Sequence, residues 1–413
     1  MINKKPIFIS LSPNVEKDDI SLAFKLLFKP RKWKKGAAIG LLEQKFCSYL
    51  GVKHVFSFNS GRTAFLAILK SLGLEKDSQV LLQAFTCNAA VNPILWAGLK
   101  PIFVDIKKET LNIDPDDLEK KITSKSRVVV VQHIFGKPAD LDRILEICER
   151  NNLILIEDCA HSLGGDYKGK KLGTFGKAAF FSLGRDKIIS SVYGGMAVTQ
   201  DKVLEEKIQE FQKTLKFPSF FWILQQLWHP ILTKMIAMPL YCFFGLGKYK
   251  LIAFQKLGIL SKAVHKIEKQ GKMPKYLLKK MPNSLVLLGL HQFEKLERFN
   301  EHRHNIAKIY NSKDSKVEPW NAEKRVYMRY SLFVENSDEI LKKFKEKGIY
   351  LNDGWRKSVI VPIGTNLEKM GYTKGSCPVA ENVADKILNL PTHINISQKQ
   401  AQIIKKLLQE FKN

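Results

Sequence analysis

Short unbroken runs of apolar residues alternate, through the first half of the chain, with stretches in which apolar positions return every three or four residues. Residues 54–59, 79–84, 100–106, 127–133 and 153–158 have the length and composition of strands buried on both faces, and a further apolar run begins at Phe180. Between them the pattern predicts helices: one over 36–50, one opening at Ser60-Gly61, capped helices after Asp114-Pro115 and after residues 136–140, and one over 203–214. Strands separated by helical segments predict βαβ units and a mainly parallel sheet, an α/β fold. From about His302 the rhythm changes. Residues 327–334 read as a strand, 337–347 as a helix, 377–382 as the start of another, and 387–393 lead into a last helix reaching Phe411. The expected organisation is a large domain over 1–255, a linking basic and helical segment over 256–301, in which 261–280 reads as helical, and a small C-terminal α+β domain over 302–413.

One stretch breaks the pattern. Residues 217–246 are mostly aromatic and aliphatic, yet Lys234 and three prolines interrupt them, so they fall short of the roughly 20 unbroken apolar residues that a membrane span needs. Lys248, Lys250 and Lys256 follow. That is the composition of a hairpin lying in the interface of an anionic membrane. It is equally the composition of a hydrophobic arm packed on a partner subunit or over an active site.

At 413 residues the chain is long enough for two domains, and its 45% hydrophobic content is ordinary for a globular protein. The net charge of +27 is not ordinary and implies attraction to something anionic: nucleic acid, an acidic membrane surface or phosphorylated substrates. The basic excess is scattered over many helical segments without the aromatic interleaving of a single-strand binder, which disfavours nucleic acid. Cys47, Cys87, Cys148, Cys159, Cys242 and Cys377 show no Cys-x-x-Cys spacing and sit mostly among apolar residues. They read as reduced core residues of a cytoplasmic protein, and no metal site is expected. Residues 1–6 lack a long apolar run and a small-residue cleavage site, so no secretory signal is expected.

Candidate chemistry begins at residues 180–195, where a short strand runs into Lys187 among small and polar residues and then into Gly194-Gly195, a pair expected to reverse the backbone. A lysine at a strand end is either a solvated charge or an amine desolvated enough for Schiff-base chemistry. Asp158 ends another apolar strand, and in open α/β sheets ligands bind beyond the carboxyl ends of the strands. The two groups therefore belong on one rim. A lysine with an aspartate set against a pyridinium nitrogen is what proteins commonly contribute to pyridoxal phosphate chemistry. Ser60, before a helix, is either a plain N-cap or part of a phosphate cradle built from backbone N–H groups.

Several motifs, taken together and in order, resemble those of the DegT/DnrJ/EryC1/StrS family of sugar aminotransferases. They are Glu157-Asp158-Cys159-Ala160-His161, then Ser182-Leu183-Gly184-Arg185-Asp186-Lys187, then Gly194-Gly195, and the similarity runs from about residue 7 to the C-terminus. The resemblance implies a fold type I enzyme with pyridoxal 5'-phosphate as cofactor, working as a homodimer. It assigns Lys187 as the catalytic lysine that holds the cofactor, Asp158 to the ring nitrogen, and His161 to the ring hydroxyl or face. Ser182 and the amides of Gly61, Arg62 and Thr63 would anchor the phosphate, with the Arg62 guanidinium adding a contact. Cys87 stands where many relatives place an aromatic that stacks on the ring, leaving Phe85 or Cys87 itself as the replacement. Residues 277–281 stand where relatives carry an Asn that reaches the neighbouring subunit's phosphate, with Lys279 or Lys280 as substitutes. Trp355 and Arg356 fall where relatives line the substrate pocket.

The implied reaction is transamination of a keto-sugar, nucleotide-activated, with glutamate as donor, for surface polysaccharide or glycoconjugate assembly. Retention of Lys187 speaks against a pyridoxamine-dependent sugar dehydratase on the same fold, since such enzymes commonly carry histidine there. The intact Asp158 and Lys187 pair speaks against a catalytically silent membrane-bound scaffold. The expected location is cytoplasmic, with 217–246 as a contact to the inner face of the membrane.

Overall fold

A computed structural model describes residues 6–241, 243, 245–311 and 326–410. Its largest core surrounds a seven-stranded sheet made of β1 (His54–Phe58), β2 (Gln79–Gln83), β3 (Lys100–Val104), β4 (Ser126–Gln132), β5 (Ile154–Asp158), β6 (Ala178–Ser182) and β7 (Gly195–Thr199). The order across the sheet is β1-β7-β6-β5-β4-β2-β3. All pairings are parallel except those of β7, which runs antiparallel to both β6 and β1. Val128, Val129, Val130 and Val131 of β4 are all buried, and because successive side chains point to opposite faces, the sheet must be covered on both. The α/β architecture read from the pattern is the one observed.

The helices that bear on the site are α1 (Lys17–Leu27), α2 (Gly61–Ser71), α3 (Phe220–Leu232), α4 (Leu246–Lys256), α5 (Asn283–Phe293), α6 (Leu296–Tyr310) and α7 (Gln398–Gln409). A second apolar cluster joins Tyr310 of α6, Ile404 of α7, Phe344, and the antiparallel pair β8 (Tyr330–Phe333) and β9 (Ile387–Leu390). Ile7 belongs to that cluster too, because Ile7–Phe8 pairs in parallel with Ile349–Tyr350. The last helix ends at Gln409, and Phe411, like residues 1–5 and Cys242, lies outside the described residues. The five described cysteines are free thiols.

Two sequence expectations are corrected. Residues 261–280 are not helical beyond a turn at Glu268–Gln270. Their carbonyls are claimed by side chains of the large core: Ser261 O accepts from Arg185 Nη1 at 2.9 Å, Glu268 O from Asn92 Nδ2 at 3.0 Å, and Gly271 O from Trp96 Nε1 at 2.8 Å. A helix would have needed those acceptors for itself. Gly194-Gly195 does not reverse the chain through positive φ; the residue in that conformation is Val192, with φ of 69°. Gly195 is required for a different reason, since a Cβ there would lie 2.3 Å from Gly61 N and from Ser60 C.

The described residues of 217–246 are mostly helical. They form α3, a π turn over Thr233–Ala237 and a short helix Met238–Leu240. Pro230 inside α3 has no N–H to give the ladder, and the helix widens three residues later. The inner face of the segment packs on its own chain: Trp222 meets Tyr193 at a ring separation of 5.2 Å, and Tyr241 meets Phe8 at 4.8 Å. Among the described residues, no helix is long and apolar enough to cross a membrane.

Candidate active site

The carboxyl ends of β4, β5 and β6 place Gln132, Asp158 and Ser182 along one rim of a cavity of about 260 Å³. The loop after β6 adds Lys187 to the wall, and the first turn of α2 adds Gly61 and Arg62. The C-terminal part of the chain adds Arg329, Asp353 and Trp355 to the wall. Lys187 and Asp158, remote in sequence, thus face one space.

Asp158 is 2% exposed. Its Oδ2 accepts from Gln132 Nε2 at 3.1 Å and its Oδ1 from the Ala160 N–H at 3.0 Å. Burial pushes its carboxyl above the ordinary carboxylate range, against the Ala160 hydrogen bond and the charge of Lys187. A carboxylate held dry in this way gains from any cation placed against it. Lys187 is shifted in the complementary sense: burial pulls its ammonium below the ordinary lysine value, with the Cys87 thiol, Asp158 and Asp186 opposing and Arg329 assisting. The backbone beside it is fixed from the N-terminal segment, where Asn14 Nδ2 donates to the Ile188 carbonyl at 3.0 Å.

His161 lines the same cavity and is stacked on Phe135 with ring centroids 5.6 Å apart. Burial drives it well below the ordinary histidine value, so the ring is neutral. Its Nδ1 accepts the Phe135 N–H at 3.3 Å, which places the proton on Nε2 as a donor.

Of the residues at the start of α2 expected to cradle a phosphate, fewer line the cavity than the sequence suggested. Ser60 does cap α2: its Oγ accepts from the Thr63 N–H at 3.1 Å, and Thr63 Oγ1 donates to Asn59 Oδ1 at 2.9 Å. Thr63 is thereby committed to the cap and does not line the cavity, which leaves the amides of Gly61 and Arg62 together with Ser182. The Arg62 guanidinium also turns elsewhere, into an ion pair with the fully buried Glu268. Gly61 is needed because a Cβ would meet Ser182 Cβ at 3.0 Å.

Cys87 lines the cavity, whereas Phe85 lies behind it, edge-on to Trp355 at 5.7 Å. Trp355 is in the wall, but Arg356 points away and binds Ser337 Oγ and Asp338 Oδ1, each at 2.6 Å. Residues 279 and 280 bridge to Lys216 and Phe58 at the sheet edge, and neither lines the cavity. His133, Glu157 and Cys159 gather their ligand-type atoms in the core, yet the Glu157 carboxylate already accepts from the amides of Gly173, Phe175 and Gly176.

Sequence reasoning missed Gln132, Arg329 and Asp353. Gln132 was legible as the polar residue closing a run of four valines at the height of Asp158. Arg329 and Asp353, whose Nε and Oδ2 lie 3.5 Å apart, come from the C-terminal part of the chain, and nothing local marks them.

The residues present fit pyridoxal phosphate: a buried carboxylate raised by desolvation, a desolvated amine, a neutral imidazole donor and two first-turn amides share one cavity. Comparison with known proteins points the same way. The DegT/DnrJ/EryC1/StrS aminotransferase family matches residues 14–218 and 248–409. GDP-perosamine synthase of Escherichia coli O157:H7 is 28% identical over 385 residues, covering 91% of each chain. Among solved structures, the Helicobacter pylori aminotransferase PseC superposes with a TM-score of 0.75 at 22% identity, covering 99% of this chain and 100% of that one. The dehydratase ColD superposes with a TM-score of 0.71 at 20% identity, covering 97% and 100%. At such identities these two show a shared fold.

Proposed function

The chain belongs to the DegT/DnrJ/EryC1/StrS aminotransferase family, and from that premise we propose that it transfers an amino group from glutamate to a nucleotide-activated keto-sugar, with pyridoxal 5'-phosphate, for surface polysaccharide or glycoconjugate assembly. The observation that carries this reading is the placement of Lys187 and Asp158 on the walls of one cavity, each with its charge disfavoured by burial. A relative that makes GDP-perosamine supports the choice of a nucleotide sugar.

When bound, pyridoxal phosphate supplies an electron sink conjugated to the amine in transfer. Lys187 Nζ is the group that would hold it. Because burial favours the neutral amine, Nζ is also suited to accept a proton from a substrate carbon and return it. Asp158 would keep a proton on the ring nitrogen, its carboxylate oriented by Gln132 and Ala160. His161 Nε2–H would donate to the ring hydroxyl. Gly61, Arg62 and Ser182 would take the phosphate through two amides and a hydroxyl. Cys87 offers a small, weakly polar contact where relatives would stack a ring.

Borohydride reduction of the cofactor-loaded protein tests this directly. A pyridoxyl group should be found on the peptide containing Lys187 and be absent from Lys187→Ala; an unlabelled Lys187 in loaded protein would remove the reading. The same reading includes a homodimer, the division of the chain near residues 255 and 301, and a peripheral place on the cytoplasmic face of a membrane. The last is supported by the apolar segment that interrupts the family match between residues 218 and 248.

A further inference from the structure

We propose that α1, α3, α4 and the connections beside them form a docking face for an anionic phospholipid bilayer. The inference rests on the peripheral location proposed above and names the surface responsible.

Two acid-free tracts meet on this face. Residues 20–42 contain six Lys and Arg and no Asp or Glu, and residues 211–267 contain eight Lys and no Asp or Glu. Elsewhere the chain places 40 acidic residues. The fold brings the tracts together: α1 packs along α3, the Trp33 and Phe220 rings lie 5.9 Å apart, and Lys34 Nζ sits 4.2 Å over the Phe220 ring.

The same face exposes apolar side chains that no described residue covers. Phe28 is 73% exposed, Phe221 61% and Leu257 72%, and Phe24, Phe220 and Met235 are at least half exposed. More than half of the large hydrophobic side chains exposed among the described residues fall between 220 and 259. Phe221 approaches Gly258, which joins the end of α3's outer face to Leu257 and Ile259 in one patch.

Exposed aromatics ringed by lysine suit a bilayer interface, and the two carboxylates in the first turn of α1, Asp18 and Asp19, are both held by Lys295: rings enter the acyl boundary and ammonium groups rest on phosphate headgroups. A second copy is the poorer occupant. In a two-fold contact the same patch meets itself, which would set these cations against one another.

The face is also wired to the site. Arg185, two residues before Lys187, donates through Nη2 to Gln226 Oε1 of α3 at 3.2 Å, and Gln226 accepts from Ser261 Oγ at 2.8 Å. Residues 257–264 run from the exposed patch to the cavity, where Ala263 and Val264 are in the wall.

The test is cosedimentation of the full, cofactor-loaded chain with vesicles of phosphatidylcholine, with or without about 30 mol% phosphatidylglycerol. The wild type should partition onto anionic vesicles at least tenfold more strongly than onto neutral ones and lose that advantage in high salt. Replacing Phe28, Phe220, Phe221 and Leu257 together by Ser should weaken partitioning at least tenfold, with cofactor absorbance and solution transamination retained. If the fourfold variant misfolds, charge reversal at Lys29, Lys32, Lys248 and Lys250 should give the same loss. Wild type that binds anionic vesicles while both variants bind equally well would overturn the face and leave the peripheral location standing. Wild type that ignores both vesicles would overturn the two together, with the transamination reading untouched. Variants that dissociate an oligomer while vesicle binding persists would make the face a contact between copies and overturn the proposal.

Discussion

Gln132 and Asp158 are register partners at the carboxyl ends of neighbouring parallel strands, and the Gln132 amide donates to Asp158 Oδ2 at 3.1 Å. With Ala160 N–H on the other oxygen, the carboxylate is oriented before any ligand arrives. Asp158→Asn keeps the size and one of the two hydrogen bonds, since both neighbours donate and an amide has a single acceptor oxygen, and it removes the charge that would hold a proton on the ring nitrogen. Its turnover should fall by about 10² or more, the scale of losing a positioned proton-holding group, while thermal stability changes little. Gln132→Leu should give a smaller fall and a red or blue shift of the bound cofactor's absorbance. Near-wild-type turnover in Asp158→Asn would take the carboxylate out of the chemistry.

How far the sequence could be read is clear from particular residues. β4, β5 and the α2 cap announce themselves because a strand buried on both faces must be uniformly apolar and a helix start needs an acceptor, and both requirements are local. Lys187 and Asp158 could be placed on one rim because strand ends share a side of the sheet. The orientation of Arg62 could not be read, since its partner Glu268 is about two hundred positions away. Residues 261–280 are rich in helix formers but include Gly271, with φ of 74°, and Pro274, and their carbonyls are held by Arg185, Asn92 and Trp96 on other elements, which the sequence does not show. The apolar composition of 217–246 was legible; that its inward half packs on its own chain was not, because Trp222 and Tyr241 find their ring partners across the fold.

Gly195 and Gly40 make an informative pair. A Cβ at 195 would sit 2.3 Å from the Gly61 nitrogen, backbone against backbone, whereas a Cβ at 40 meets nothing within 4 Å. Gly195→Ala must push β7 from the start of α2 and so deform the two amides proposed to take the phosphate. Cofactor affinity should drop at least about tenfold, a cost near 1.4 kcal/mol, even where the protein still folds. Gly40→Ala, inside the helix Ala38–Leu50, should instead stabilise by about 1 kcal/mol and leave affinity unchanged. Equal cofactor affinity in the two variants would refute the close-approach argument.

Glu268 is fully buried and holds Arg62, the Tyr276 hydroxyl at 2.9 Å and the His265 N–H at 2.8 Å. Glu268→Gln leaves the Arg62 guanidinium buried without its counter-charge. Breaking one side of such a pair costs about 3–5 kcal/mol, so the denaturant midpoint should fall by a large fraction of the total. Removing both charges, as in Arg62→Met with Glu268→Gln, should recover much of the loss, because the Gln oxygen can still accept from Tyr276 and His265. A double variant as unstable as Glu268→Gln would show that packing, not the unpaired charge, is responsible.

Lys234 supplies a pH dependence with a definite sign. Burial pushes its ammonium down to about 8, with Asp19 pulling the other way. Below that pH the folded chain carries the full burden of a protonated, poorly solvated amine. Between about pH 8 and the unfolded lysine value of about 10.4, the unfolded chain holds a proton that the folded chain has released, so folding stability from this residue rises with pH. Lys234→Met removes both the burden and the rise. It should be more stable than wild type at pH 7, by at most about 3 kcal/mol before discounting for the partial exposure of the side chain. That advantage should shrink across the window and vanish near pH 10.5, by urea titration of the two proteins at matched pH. An advantage that stays constant from pH 7 to 10.5 would mean that methionine packs better there and that the charge has no part in it.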